Sequence, residues 1–109
     1  MARAARISRA DFPTRSPARR VSNELFSIAM WPLSPGVEPQ FSCVVSKKTA
    51  KKAVDRNKLK RRCREIASPL VASLKRPIAV IVYPKKTALT VPFEEAETSI
   101  ASLLVKLSA

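Results

Sequence analysis

The chain has no histidine, two cysteines and one glycine among its 109 residues. Without histidine, no side chain has an ordinary pKa suited to general acid–base work near neutrality. Cys43 and Cys63 alone cannot complete a four-ligand zinc site. Acids are scarce as well, with 8 Asp and Glu against 21 Lys and Arg, for a net charge of +13. The one local group of carboxylates, Glu94, Glu95 and Glu97, lies where a final helix should begin, and the helix dipole accounts for it. Nothing here offers metal or nucleophilic catalysis. No apolar run reaches the roughly 18 residues that a membrane span needs, the longest being the six from Ile78 to Tyr83. The first twenty residues hold six arginines and one acid. Pro13 and Pro17 interrupt the amphipathic helix of a transit peptide, so a basic N-terminal arm or short helix over residues 1–20 is expected.

What is present is enough apolar residue, 46%, for one domain over residues 1–109 with its own core. From Leu25 to Trp31 apolar residues alternate in strand fashion. Pro32 to Pro39 holds three prolines and Gly36 and reads as a loop. Phe41 to Val45 forms a second strand, antiparallel to the first. A basic helix starts between Thr49 and Val54, and Pro69 should stop or kink it. Ile78 to Tyr83, after Pro77, is continuously apolar and β-branched, as in a central strand covered on both faces. After Pro92, residues Phe93, Ala96, Ile100, Leu103, Leu104 and Leu107 recur at helical spacing. Phe26, Phe41 and Phe93 are assigned to the core. Cys43 and Cys63 fall on apolar stripes and read as small reduced core residues. The sum is an α+β domain: a small mixed sheet of three to four strands with helices packed against it.

Ten of the 21 cations lie between Lys47 and Arg64, with Asp55 the only acid among them. At 100° per residue, Leu59, Cys63, Ile66 and Leu70 share a sector of about 60° that faces the core. Asn57, Lys60, Arg61 and Arg64 share a second sector of about 100°, roughly opposite. An amide and three cations on one face suit the recognition of phosphates and bases. Lys58 and Arg62 lie on a remaining flank, as general attraction or solvated surface. Arg56 borders the apolar stripe, so its charge must snorkel or pair. A solubilising face would mix Glu with Lys, whereas this one calls for a polyanion, and RNA is the expected partner.

The strand and helix closely resemble the signature of the bacterial ribonuclease P protein component. Its elements read here as Ser46-Lys47-Lys48, Lys52-Ala53-Val54, Arg56-Asn57-Lys58, Lys60-Arg61 and Arg64-Glu65, with the spacing kept from Lys52 onward. Asp11-Phe12 resembles the family's early Asp-Phe. Lys58 stands where the family has arginine, Thr49-Ala50-Lys51 is one residue longer than usual and lacks its glycine, and Pro13 and Pro17 fall in the first helix.

The resemblance implies a β-α-β crossover through the basic helix, left-handed against the usual rule. It implies an RNA-binding subunit of an endoribonuclease that removes the 5′ leader of precursor tRNA in the cytoplasm. The chemistry would lie on a catalytic RNA with magnesium, and no cofactor would be bound by the protein alone. The RNA-binding residues would be Lys47, Lys48, Lys52, Arg56, Asn57, Lys58, Lys60, Arg61 and Arg64. Phe12 and Tyr83 are candidates to stack on the single-stranded leader. A small basic ribosomal protein is the alternative. A DNA regulator fits less well, since no helix-turn-helix spacing precedes the basic helix, and neither DNA nor a membrane is an expected partner.

Overall fold

A computed structural model describes residues 4–7 and 16–108. Its elements are β1 (Ala5–Arg6), β2 (Arg19–Ser22), β3 (Phe26–Pro32), β4 (Gln40–Cys43), α1 (Ala53–Ser73), β5 (Ile78–Pro84), a 3₁₀ turn (Lys86–Leu89) and α2 (Phe93–Ser108). Among the described residues five strands form one sheet, in the order β1-β4-β5-β3-β2. The α+β class is as expected, with more strands than the sequence suggested. The additions are β1 and β2, from the segment read as an arm. These are short edge strands held by backbone pairing, and they need no apolar alternation that a sequence could display. Their exposed arginines, Arg6, Arg19 and Arg20, also discourage edge-to-edge association.

The apolar run of β5 takes the centre, antiparallel to β3 and parallel to β4. β4 thus runs opposite to β3 as expected, but β5 lies between them. The parallel β4–β5 pair is joined through α1, which makes a β-α-β crossover. Register sorts the side chains. Ile28, Val82 and Cys43 align in one row, and Met30, Val80 and Phe41 in another. Both rows face α1 and α2, which contribute Leu59, Cys63, Ile66, Ala67 and Val71, and Ala96, Ile100, Leu103, Leu104 and Leu107. The opposite face buries Ile7, Ala29, Trp31, Ala79 and Ile81, with Tyr83 partly buried beside them.

Turns follow their residues. Val37 N–H donates to the Ser34 carbonyl at 3.1 Å, and Gly36 takes φ 88°, the positive value that the third position of a Pro-Gly turn requires. Pro69 does not end α1, which continues to Ser73. The lost N–H would have served the carbonyl of Glu65, an exposed residue, while Ala67, Ser68 and Val71 are buried and hold that stretch of helix against the core. Ser68 also ties the N-terminal segment to α1, its Oγ accepting from Ala4 N–H at 3.0 Å. Phe93 is 44% exposed, which corrects its assignment to the core. It occupies the first position of α2, before the helix settles onto the sheet, and its neighbour Ala96 is the first residue of the buried stripe. No helix among the described residues is long and apolar enough to cross a membrane.

Candidate nucleic-acid interface

The crossover presents one long side of α1 to solvent while its stripe of Leu59, Cys63 and Ile66 anchors the helix to the sheet. On the outward side Asn57, Lys60, Arg61 and Arg64 line one shallow depression of about 500 Å³, together with Val54. Val54 is 75% exposed, so it supplies an apolar contact in the middle of the cations. Among the described residues no carboxylate lines this depression. The four residues that the helical wheel groups are therefore together in space, and Val54 is an addition that the wheel did not single out.

The other cations divide by what lies within reach. Arg56 Nη1 donates to the carbonyls of Ala50 and Lys51 at 3.0 and 2.8 Å, pinning the loop that enters α1. This settles how it pairs beside the apolar stripe. Arg62, assigned from sequence to a solvated or generally attractive flank, is half-buried and does structural work instead. Its Nη1 donates to Ala88 and Leu89 carbonyls, both at 3.3 Å, and its Nη2 to that of Val91. The planar guanidinium spreads its donors over two terminal nitrogens in a fixed fork, which reaches carbonyls on separate residues better than the single nitrogen of an ammonium. Lys58 is exposed on the helix and belongs to neither depression.

Lys47 and Lys48 ride an exposed turn closed by Thr49 and Ala50 N–H groups donating to the Ser46 carbonyl at 3.1 and 3.2 Å. Lys48 and Lys52 line a second depression, of about 270 Å³, with Lys51, Asp55, Leu89 and Lys86. Sequence reasoning missed Lys51 and Lys86. Lys86 sits in a short connection with no periodicity, so only the folded chain brings it to the helix.

Tyr83 lies on the sheet face away from the helices, half-buried, with the Arg20 guanidinium 5.8 Å from its ring centroid. A cation over a half-exposed ring suits stacking on an RNA base. Phe12 lies outside the described residues. Both cysteines are free thiols, and burial, reinforced by a hydrogen bond with Cys43, pushes the Cys63 thiol well above its ordinary value of 9.0. A thiol kept protonated is no nucleophile at neutral pH.

A family model described as Ribonuclease P matches residues 1–108. The ribonuclease P protein component of Synechococcus sp. (strain JA-2-3B'a(2-13)) is 35% identical over 71 residues, which cover 65% of this chain and 53% of that protein. The chain thus spans about half the length of this curated relative. The RNase P protein from Thermotoga maritima superposes with a TM-score of 0.67 at 26% identity, over 79% of this chain and 80% of that one. The Staphylococcus aureus RNase P protein gives a TM-score of 0.65 over 82% and 80% of the two chains, and at 24% identity it speaks to the fold alone.

Proposed function

The chain belongs to the ribonuclease P protein family, and we propose that it is the RNA-binding subunit of a ribonuclease P, working with a catalytic RNA on precursor tRNA. The observation that carries this reading is the outward face of α1, where an amide, three cations and an exposed valine share one depression that no carboxylate lines among the described residues. On this reading Asn57, Lys60, Arg61 and Arg64 grip RNA phosphates, with Lys47, Lys48, Lys52 and Lys58 adding attraction around them. Arg56 contributes by fixing the loop that presents Lys51 and Lys52. Tyr83, capped by Arg20, receives a base of the single-stranded leader. It lies on the opposite side of the sheet from α1, so the two RNA contacts can be made together.

The reaction is endonucleolytic removal of the 5′ leader, and this chain is assigned no chemical step in it. Magnesium held by the RNA subunit would supply the hydrolytic chemistry. The protein lowers the repulsion between two polyanions by placing fixed cations between them, which is the condition under which a ribozyme needs less free magnesium. The cytoplasm is the compartment this role implies. Reconstitution tests the proposal: the full chain added to a bacterial ribonuclease P RNA at low magnesium should stimulate cleavage of precursor tRNA. Absence of stimulation with every compatible catalytic RNA would overturn it.

A further inference from the structure

The 3₁₀ turn after β5 is held from two sides. Toward the β2–β3 turn, Lys85 N–H donates to the Leu25 carbonyl at 2.8 Å, Lys85 Nζ donates to the Asn23 carbonyl, and Thr87 Oγ1 donates to the Glu24 carbonyl at 2.6 Å. Toward α1, Arg62 holds the carbonyls of Ala88, Leu89 and Val91, and Ala88 is buried. With Lys85 and Thr87 drawn to one side, Lys86 is left exposed against the loop that enters α1. Arg56 fixes that loop in turn, through Ala50 and Lys51. Two inward-turned arginines of one helix thus hold the two backbone segments that bring Lys48, Lys51, Lys52 and Lys86 around a single depression. Among the described residues Asp55 is the only carboxylate lining it, and one carboxylate cannot balance four ammonium groups.

Four like charges drawn together repel, and the fold gains nothing from their proximity. Both bracing guanidiniums are hydrogen-bonded to carbonyls in the bonds described, so they add to the positive field. A ligand of repeated negative charge resolves the repulsion. We infer that Lys86 and Lys51 join Lys48 and Lys52 in a second contact with RNA phosphate backbone, and that Arg62 is the positioning residue that holds Lys86 in it. The inference rests on the RNA-binding reading above and extends it to the 3₁₀ turn, which lies outside the motif from Ser46 to Glu65.

The test is the salt dependence of binding by the full chain, with a bacterial ribonuclease P RNA and a precursor tRNA as separate probes. Lys86→Ala and Lys51→Ala should each reduce the steepness of the log–log plot by about 0.7–0.9, the loss of one phosphate contact. The probe that responds identifies which RNA is gripped. Urea midpoints of both variants should stay at the wild-type value. Arg62→Ala should reproduce the Lys86→Ala loss with a lowered midpoint, and the double variant Arg62→Ala/Lys86→Ala should bind no more weakly than Arg62→Ala. Unchanged plots for both lysine variants on both probes, with Arg61→Ala still weakened, would overturn this inference alone. Additive losses in the double variant would overturn the positioning role. A wild-type chain that binds neither RNA would overturn the underlying reading as well. If Arg62→Ala does not fold, the two lysine variants still decide the contact.

Discussion

The outward side of α1 and its flank beside the 3₁₀ turn carry the same residue type under different constraints. Arg61 is exposed and lines the depression with Asn57, Lys60 and Arg64. Arg62, one position later, is turned onto three backbone carbonyls of the segment leading to α2. The 100° step between consecutive helical residues is enough to move one guanidinium from solvent to the protein's own carbonyls. Arginine density on a helix therefore overstates its ligand-binding capacity. What decides each role is whether unpaired carbonyls lie within reach of the fork, and Arg56 follows the same rule at the other loop.

The largest effect expected along this helix lies on neither side but beneath both. Ile66→Ala leaves a cavity under a fully buried side chain and should cost about 2–5 kcal/mol in urea unfolding. RNA affinity should be retained wherever the variant is still folded. Next comes Arg62→Ala, which strips three carbonyls of a charged donor and should cost about 2 kcal/mol. Arg62→Lys should recover only part of that, because a single ammonium nitrogen lacks the two-nitrogen fork that Arg62 uses to reach the three acceptors. Full recovery by lysine would mean that charge, not the fork, is what the segment needs.

On the outward side the sign of the comparison reverses. Arg61→Ala or Arg64→Ala should weaken RNA binding by about 1–2 kcal/mol, read by titration of a bacterial ribonuclease P RNA. For the exposed Arg61 the unfolding free energy should stay within about 0.5 kcal/mol of wild type. The smallest effect concerns Cys63 on the buried stripe. Its thiol is raised by burial, so the folded state favours the protonated form. That stability is fully present below the ordinary value of 9.0 and is lost as pH rises above it. Unfolding followed between pH 8 and 11 should show a decline that Cys63→Ala flattens, although alanine lowers the plateau. An equally steep alkaline decline in Cys63→Ala would assign it to other groups.

Much of this was legible in the residues. The helical stripe of Leu59, Cys63 and Ile66, the central strand from Ile78 and the grouping of Asn57, Lys60, Arg61 and Arg64 all follow from periodicity, because each is a property of one regular element. The rest depends on which segments meet. The helical wheel sets Arg62 apart from Arg61 but not what Arg62 meets, since the carbonyls that claim it come from residues 88–91. Lys86 joins the basic helix only once β5 has inserted beside β4. Arg19 and Arg20 read as part of a basic arm or short helix because an edge strand is specified by its partner, here β3, more than by its own pattern. Pro69 misleads as a stop signal because packing of Ala67 and Val71 outweighs one lost backbone bond at a solvent-facing carbonyl.

The most direct test of this division is one pair of variants read by two methods. Arg61→Ala and Arg62→Ala are compared for affinity to a bacterial ribonuclease P RNA and for urea midpoint, at a temperature where both are folded. The account predicts a crossed result. Arg61→Ala loses more affinity with its midpoint unchanged, while Arg62→Ala loses midpoint and no more affinity than Lys86→Ala does. Equal losses of affinity from both, with midpoints alike, would contradict it.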